Sequence, residues 1–393
     1  MTDTVVKVRI EGIAAGGAGF ARTGGKSLFV EGSVPGETVV CRVTEEHHSW
    51  LQAELLDVVE ASADRVQPAC GLYGMCGGCN LQHLGYPAQL TAKTLILKDA
   101  FARIGGIDPP EPLVFPSAPW EYRNRMQFHT IRHSDGPLWG LKTRKSADIV
   151  PVSDCPIADP AIRGLLRGEK EQTKSLTPPE KDRFTVYARR GLLLSEGGMR
   201  RGKTRLLDTE LTLDAGLFFQ SNGAMLEKLI GELCENLTDI SQSGRDLPMA
   251  DLYCGVGTFA VFLGEMFPAI DLVEENKSAL SLARENLALL KWFSEEGRTN
   301  FYAQRSEDWA KNNIPRRYGF IVADPPRQGL GRSLALRLAS DGPPTLAYVS
   351  CDPATLARDS KILLAGGYSI AKLCFLDFYP QTSHIESLAL FKK

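Results

Sequence analysis

Apolar and polar residues alternate along the first sixty residues, and longer segments with helical spacing follow. Five alternating stretches are separated by Gly-rich or Pro-Gly turns, and they occupy residues 5–10, 14–22, 27–30, 35–43 and 50–59. Alternation with a period of two predicts strands that are buried on one face. Several short strands joined by tight turns are typical of a small closed β-barrel, so we expect one at the N-terminus.

The middle of the chain contains one predicted helix and then a β-rich region. Residues 86–105 carry Leu90, Thr94, Leu97 and Phe101 at helical spacing, and two glycines end the segment. We expect this stripe to pack against a core. A Pro-rich linker follows, and strand-like segments then continue to about residue 212.

A predicted helix at residues 224–237 leads into the most informative stretch, residues 248–276. This stretch has the pattern of a strand, a Gly turn, a helix and a second strand that ends in an acidic residue. Asp251 lies near the end of the first strand, and Glu274 follows 23 residues later, where it can accept hydrogen bonds from two ribose hydroxyls. Such a unit opens an α/β sheet that binds a nucleotide-like ligand. The turn lacks both a third glycine and the Lys of a phosphate-binding loop, which favours the phosphate-free adenosine ligand S-adenosylmethionine.

Two later strands also end in chemically informative residues. One strand ends at Asp324, which begins the sequence D-P-P-R, and the next ends just before Cys351. Because ligands bind at the carboxyl edge of such sheets, we expect Asp251, Asp324 and Cys351 at one edge. A helix that begins after Cys351 should lower the pKa of its thiol, which would suit a nucleophile. Two final strands are predicted to close the sheet as a hairpin-like edge.

Composition and charge are those of an ordinary globular protein. The 393 residues are 43% hydrophobic and 23% charged, with a net charge of −2. No apolar run approaches the roughly 20 residues that span a bilayer, and the N-terminus lacks a signal-peptide core, so we expect a cytoplasmic protein without membrane contact. Local basic clusters at residues 123–125 and 189–205 are candidates for binding RNA phosphates.

Three of the nine cysteines form a cluster with the spacing C-x5-C-x2-C, namely Cys70, Cys76 and Cys79. Zinc sites more often show paired C-x2-C knuckles. Three thiolates in a Gly-rich loop with a distant fourth, Cys155, suit a [4Fe-4S] cluster better. We therefore predict an iron–sulfur site that is structural or positions RNA, because no open thiolate position or redox partner is visible.

Several segments together resemble the RNA uracil-C5 methyltransferases over nearly the whole chain. Beside the four cysteines, the segments that carry the resemblance are residues 218–222 (F-F-Q-S-N), 251–259 (D-L-Y-C-G-V-G-T-F), 324–329 (D-P-P-R-Q-G), 348–359 (Y-V-S-C-D-P-A-T-L-A-R-D) and 384–391 (H-I-E-S-L-A-L-F). Residues 12–22 and 28–39 resemble the TRAM domain, an RNA-binding barrel of the oligonucleotide-binding type. The combination is similar to the branch associated mainly with 23S ribosomal RNA.

This resemblance implies an α/β fold with three domains. A TRAM barrel spans residues 1–60, and a β-rich central iron–sulfur domain spans 61–85 and 113–212. A Rossmann-like class I methyltransferase domain spans 86–112 and 213–393. The resemblance also implies that the helix at 86–105 contacts the C-terminal domain although it interrupts the central one. No obligate protein partner is implied.

The resemblance also assigns roles within the site. Cys351 is implied to add to C6 of uracil, and Glu386 to remove the C5 proton after methyl transfer. We expect partial burial to raise the pKa of Glu386. Contacts to S-adenosylmethionine are implied for Gln220, Tyr253, Glu274 and Asp324.

Two other functions compete with this interpretation. A transfer-RNA uridine methyltransferase would share the same chemistry with another substrate. A protein of a different class, an iron–sulfur redox or radical protein with an RNA-binding barrel, is disfavoured because the chain lacks C-x3-C-x2-C and because the donor turn would be unexplained. Residues 156–212 match no family motif, and we expect RNA selectivity to reside there.

Overall fold

A computed structural model describes residues 4–132, 138–144, 146–169, 182–238, 242–294 and 297–393. The first part is a six-stranded sheet with the order β1-β5-β6-β4-β3-β2. Its strands are β1 (Val5–Arg9), β2 (Gly12–Ile13), β3 (Gly19–Thr23), β4 (Lys26–Val30), β5 (Thr38–Glu46) and β6 (Trp50–Glu60). Strand β1 also contacts β3, which brings the first edge of the sheet back towards the other. The sequence predicted five strands, and the sixth is the two-residue β2, too short for a recognisable alternation.

The central part is a five-stranded antiparallel sheet with the order β10-β9-β8-β11-β12. Its strands are β8 (Arg125–Ile131), β9 (Leu138–Lys142), β10 (Ile149–Pro151), β11 (Arg183–Arg189) and β12 (Leu192–Ser195). The short helix α2 (Pro160–Leu166) packs on β11, and the core between them includes Phe128, Phe184 and Cys155. A separate hairpin joins β13 (Arg201–Leu206) to β14 (Thr209–Asp214).

The predicted helix at 86–105 is α1 (Tyr86–Ala100), which continues into a π-helical turn at Phe101–Gly105. Leu97 and Phe101 are fully buried in the same core as Leu356 and Phe391 of the C-terminal sheet region. The expectation that this helix packs on the C-terminal domain is therefore confirmed.

The C-terminal part is an eight-stranded sheet with the order β17-β16-β15-β18-β19-β21-β20-β7. Its strands are β7 (Leu113–Phe115), β15 (Met249–Leu252), β16 (Ile270–Val273), β17 (Thr299–Tyr302), β18 (Phe320–Ala323), β19 (Thr345–Ser350), β20 (Ser369–Leu376) and β21 (Glu386–Lys392). The five strands from β17 to β19 are parallel; every residue of the inner four is buried, whereas the edge strand β17 is partly exposed. Parallel sheets are covered on both faces, and the apolar residues accordingly fall into two cores, one on each side.

The helices of this part follow the strands in alternation, as in a doubly wound sheet. They are α3 (Gly223–Thr238), α4 (Gln242–Arg245), α5 (Thr258–Leu263), α6 (Lys277–Leu287), α7 (Ser306–Asn312), α8 (Gly331–Asp341) and α9 (Pro353–Ala365), with 3₁₀ turns at Gly264–Met266, Lys291–Ser294 and Pro315–Arg317. No helix within the described ranges has the length and apolar character needed to cross a membrane.

The edge of this sheet differs from the prediction. Strand β21 lies between β19 and β20 and is antiparallel to both, and β7 lies at the edge, parallel to β20. The predicted terminal hairpin is therefore internal rather than an edge. The predicted domain boundary at residue 113 assigns β7 to the central part, whereas the structure places it in the C-terminal sheet.

Candidate active site

Four of the predicted site residues follow directly after four parallel strands. Tyr253 follows β15, Glu274 follows β16, Asp324 follows β18 and Cys351 follows β19. The register pairs Leu252 with both Val273 and Ala323, so the first three residues leave the sheet at the same level. Cys351 leaves β19 further along, because Ala323 pairs with Tyr348 rather than with Ser350.

Glu386 reaches the same edge from the opposite direction. It is the first residue of β21, which runs antiparallel to β19, and Ser387 pairs with Ser350. This register places Glu386 across from Cys351, and Glu386 is only 2% exposed. Two residues that lie 35 positions apart in the sequence thus meet because β21 inserts beside β19.

The turn after β15 has the backbone that its glycines predict. Gly255 and Gly257 have positive φ angles of 53° and 80°, and Tyr253 shares this region at 62°. A Cβ on Gly257 would lie 2.9 Å from the Cβ of Ala283, whereas a Cβ on Gly255 would have no atom within 4 Å. Gly257 is therefore needed for packing, and Gly255 faces open space of the kind that a bound ligand can occupy.

Polar groups around this turn are aligned for a nucleoside ligand. The carboxylate of Glu274 accepts hydrogen bonds from the amides of Gly255 at 3.1 Å and Asn276 at 2.8 Å. The side-chain amide of Gln220 donates to Asp324 at 3.3 Å. Its carbonyl oxygen is buried and finds no hydrogen-bond partner in the described parts of the chain. Because a buried acceptor without a partner is costly, this atom fits a site completed by a polar ligand such as S-adenosylmethionine.

The electrostatics around Cys351 differ from the prediction. Burial raises the pKa of the Cys351 thiol to about 12, Glu386 and Asp324 add to the rise, and Arg327 opposes it. The helix α9 begins only at Pro353, and its N-cap is Asp352, which accepts a hydrogen bond from the Thr355 amide. The expected lowering by the helix N-terminus is therefore wrong for the ligand-free protein.

Both carboxyl groups beside Cys351 bind protons more tightly than usual. Desolvation raises the pKa of Asp324 to about 7, which the hydrogen bond from Gln220 partly offsets. Burial raises the pKa of Glu386 well above its ordinary value, Asp324 contributes in the same direction, and Arg327 opposes it. The expectation for Glu386 is confirmed. A raised pKa suits a carboxylate that must accept a proton near neutral pH.

These shifts predict how alkylation of Cys351 depends on pH. Only the thiolate reacts, so its alkylation by iodoacetamide should rise about tenfold per pH unit between roughly pH 7 and pH 10. The variant Glu386→Gln removes a negative neighbour and should move this curve to lower pH. Mass spectrometry of the Cys351 peptide measures the rate, with the Cys234 peptide as an internal reference. A plateau below about pH 8 in the wild type would contradict the raised pKa.

Arg327 and His384 are two further polar residues at this edge. A guanidinium nitrogen of Arg327 lies 3.2 Å from Nδ1 of His384. Arg327 is the cation that partly offsets the raised pKa values of Cys351 and Glu386. The sequence indicated Arg327 through D-P-P-R but gave His384 no role. Its place two residues before Glu386 is the signal that was available.

The four predicted cluster cysteines line one cavity of about 420 Å³, although Cys155 is distant in sequence. All four are free thiols. Burial raises the pKa of Cys79 to about 11 and that of Cys155 to about 12, and nearby Arg123 opposes both shifts. In the described residues, no three Cys, His, Asp or Glu side chains converge as ligands of one metal ion. The four thiols therefore line one shared cavity.

The two basic clusters have different surroundings. Most members of the 189–205 cluster are paired with carboxylates of this chain: Arg189 and Arg190 with Glu227, Arg200 with Asp214, Arg201 with Glu285 and Lys203 with Glu210. The positive charge of this set is therefore largely paired within the chain. Arg125 instead lies over the exposed ring of Phe218, two residues from Gln220, and donates to the carbonyl of Leu217. The 123–125 cluster is thus the one near the site.

The chain matches two family models and is similar to proteins of known name. Residues 208–393 match the family model described as tRNA (Uracil-5-)-methyltransferase, and residues 1–56 match the TRAM domain. An RNA methyltransferase of Treponema denticola is 34% identical over 394 residues, which is 94% of each chain. The 23S rRNA (uracil(1939)-C(5))-methyltransferase RlmD of Shewanella woodyi is 30% identical, covering 96% of this chain and 93% of that protein.

The structural comparison extends over the whole chain. The crystal structure of Pyrococcus abyssi tRNA (uracil-54, C5)-methyltransferase in complex with S-adenosyl-L-homocysteine covers 98% of this chain and 100% of its own, with a TM-score of 0.74. Its sequence is 23% identical. The likeness establishes the fold as that of a class I methyltransferase with additional domains.

Proposed function

Because this chain belongs to the RNA uracil-C5 methyltransferase family, we propose that it methylates C5 of a specific uridine in 23S ribosomal RNA with S-adenosylmethionine as donor. The observation that carries the proposal is the register that sets Glu386 across from Cys351, at the edge that also bears the donor turn. The RlmD relatives support 23S ribosomal RNA as the substrate. In this proposal the TRAM barrel and the central iron–sulfur domain bind and position the RNA, and the methyltransferase domain carries out the reaction.

Four side chains are proposed to bind the donor, namely Gln220, Tyr253, Glu274 and Asp324. Glu274 suits the ribose hydroxyls because it follows β16 at the sheet edge, and the free carbonyl of Gln220 and the carboxylate of Asp324 suit a cationic group. When bound, S-adenosylmethionine supplies the methyl group as an electrophile. The open space at Gly255 leaves room for it close to the backbone.

The first chemical step is proposed for Cys351. Uracil C5 is too weak a nucleophile to take a methyl group directly. The thiolate of Cys351 forms a bond to C6, and the electrons of the C5–C6 double bond move into an enolate, which makes C5 nucleophilic. C5 then forms a bond to the donor's methyl carbon while the bond between that carbon and the sulfonium sulfur breaks, and S-adenosylhomocysteine is the leaving group. Because burial raises the pKa of the Cys351 thiol, the thiol must lose its proton to a base or to water before it can add to C6.

The second step is proposed for Glu386. After methylation C5 carries both a methyl group and a proton, and the carboxylate of Glu386 accepts that proton. The electrons re-form the C5–C6 double bond, the C6–S bond breaks, and Cys351 leaves as a thiolate. Glu386 is buried and its pKa is raised, so its carboxylate is a stronger base than an exposed carboxylate.

The target uridine must leave its stack to reach this edge, as enzymes acting on bases require. Arg123 and Arg125, with the exposed Phe218, lie beside the site and are proposed to hold the RNA there. The TRAM barrel is proposed to bind a more distant part of the RNA.

The same proposal includes a [4Fe-4S] cluster held by Cys70, Cys76, Cys79 and Cys155. Four free thiols around one cavity, with Arg123 nearby to offset negative charge, support it. Thiolates are the usual ligands of such clusters. Because these cysteines come from a loop and from the segment before α2, the cluster would join the two structurally.

Removal of one cluster cysteine tests this assignment. The variant Cys155→Ser should lose the bound iron and inorganic sulfide, which is about four iron atoms per chain in an intact cluster, and should melt at a lower temperature. The matched control Cys234→Ser, a partly buried cysteine of α3, should keep both. Iron, sulfide and visible absorbance of anaerobically purified protein are the measurements. Unchanged iron content in Cys155→Ser would exclude Cys155 as a ligand.

The substrate assignment is tested by methylating unmodified 23S ribosomal RNA and transfer RNA in parallel. Labelled S-adenosylmethionine reports the transfer, and mass mapping of nuclease fragments locates 5-methyluridine. We expect a single major site in the ribosomal RNA. Methylation of transfer RNA alone would show that the substrate assignment is wrong but that the proposed reaction is right. If neither RNA is methylated, the proposed function is refuted.

A further inference from the structure

The segment that delivers Glu386 to the site is residues 377–385, between β20 and β21. It leaves the sheet after Leu376 and re-enters it at Glu386. Gln381 within it has a positive φ of 67°, a conformation that non-glycine residues adopt only when their surroundings enforce it. The position of Glu386 therefore depends on whatever holds this segment.

Several residues hold the segment 377–385 in place. Asn80, the residue directly after Cys79, makes the most extensive contacts to it. Its side-chain amide donates to Ser383 Oγ at 2.9 Å and to the Gly16 carbonyl of the barrel at 2.7 Å. Its side-chain oxygen accepts from the Ser383 amide at 2.8 Å. The backbone amides of Asn80 and Leu81 both donate to the Gln381 carbonyl, at 3.1 and 3.0 Å. One residue of the cysteine loop thus joins the barrel to the segment, three positions before Glu386.

Helix α1 fixes the beginning of the same segment. Gln89 and Gln381 are both buried; the side-chain amide of Gln89 donates to the side-chain oxygen of Gln381, and the side-chain oxygen of Gln89 accepts from the backbone amide of Gln381, both at 2.9 Å. The ammonium group of Lys93 donates to Asp377 at 2.7 Å and to the Tyr379 carbonyl at 2.9 Å, and this ion pair is fully buried. The beginning of the segment is therefore anchored independently of Asn80, and Asn80 holds the end nearer to Glu386.

We propose that Asn80 is a positioning residue for Glu386, so that the cysteine loop and the barrel control proton removal from C5. This inference rests on the proposed function. Within the described residues, the side-chain hydrogen bonds of Asn80 are to Gly16 and Ser383. Loss of Asn80 should consequently slow the step that Glu386 performs, while addition of Cys351 and methyl transfer continue.

The kinetic consequence separates this role from a merely structural one. When proton removal slows, the methylated RNA remains bonded through C6 to Cys351, and this adduct accumulates. A displacement of a catalytic group by about 1 Å can cost on the order of a hundredfold in rate, so a partial loosening in Asn80→Ala should lower kcat by about tenfold or more. KM for RNA should stay near the wild-type value.

The test compares wild type, Asn80→Ala and Ser383→Ala on unmodified 23S ribosomal RNA with labelled S-adenosylmethionine. Denaturing gels quantify the covalent RNA–protein adduct over time, and free methylated RNA is measured in the same samples. Asn312→Ala, which alters an exposed asparagine of α7, is the matched control. Asn80→Ala should show a higher adduct fraction with less free product, and Ser383→Ala a smaller change in the same direction, because its amide still donates to residue 80.

Three outcomes bear on the inference. A lowered rate in Asn80→Ala with a wild-type adduct fraction, or with a raised KM for RNA, would overturn it. If Asn80→Ala does not fold, Ser383→Ala decides, and an adduct fraction equal to that of the wild type would overturn the inference. Failure of the wild type to methylate the RNA would instead refute the proposed function, so the two failures are distinguishable.

Discussion

Replacing Cys351 by alanine should abolish methylation, with a loss of about 10⁴-fold or more in kcat. Without a bond at C6, uracil C5 has no electron-rich form that can take the methyl group. Cys254 is buried and lies in the donor turn after β15, whereas β19, which Cys351 follows, is the strand that pairs with the strand of Glu386. Incorporation of labelled methyl groups into RNA measures the effect.

The control for this variant is donor binding. Cys351→Ala should bind S-adenosylhomocysteine as the wild type does in calorimetry, because the proposed donor contacts come from other segments of the chain. Cys234→Ala, which changes a cysteine of α3 away from this edge, should keep normal activity. Residual turnover within about tenfold of the wild type in Cys351→Ala would refute its role as nucleophile.

Replacing Glu386 by glutamine should lower kcat by about 10²- to 10⁴-fold, the range typical of general-base catalysis. Glutamine fills the same buried space but cannot accept the C5 proton at neutral pH. Addition of Cys351 and methyl transfer remain available, so the variant should convert much of its RNA into a methylated covalent adduct. Gel-shift analysis under denaturing conditions and release of free product measure the two quantities.

The two variants therefore have opposite effects on the adduct. Cys351→Ala should form none, and Glu386→Gln should form more than the wild type, although both lose turnover. The double variant should behave as Cys351→Ala, because the adduct must form before Glu386 can act. A Glu386→Gln enzyme that releases methylated RNA at the wild-type rate would show that another group removes the proton.

Local patterns predicted the donor unit well. The strand, the glycine turn and the acid at Glu274 are all encoded within residues 248–276, and the structure forms them there. The place of β21 could not be predicted in this way, because antiparallel insertion between β19 and β20 is a pairing between distant segments. The sequence predicted both β20 and β21, but it did not predict that β21 lies between β19 and β20 in the sheet. Without that order, only the family resemblance could bring Glu386 to Cys351.

Electrostatic predictions failed where distant residues decide the outcome. A nearby helix N-terminus suggested a low pKa for Cys351, but burial and the charges of Glu386 and Asp324, from two other strands, raise it. The ion pairs of the arginines at 189–201 with Glu227, Asp214 and Glu285 also could not be predicted, because these carboxylates come from other segments of the chain. The roles of Asn80 and Gln381 had no sequence signal, since their contacts span about three hundred positions.

Covalent trapping on 5-fluorouridine RNA tests the central claim most directly. A 23S ribosomal RNA fragment that carries 5-fluorouridine is incubated with S-adenosylmethionine and the protein, and the adduct is digested for peptide mapping. Fluorine at C5 cannot be removed as a proton, so the wild type should stall as a denaturant-stable adduct joined through the Cys351 peptide, and Cys351→Ala should give none. An adduct that persists in Cys351→Ala, or that maps to another residue, would contradict the account.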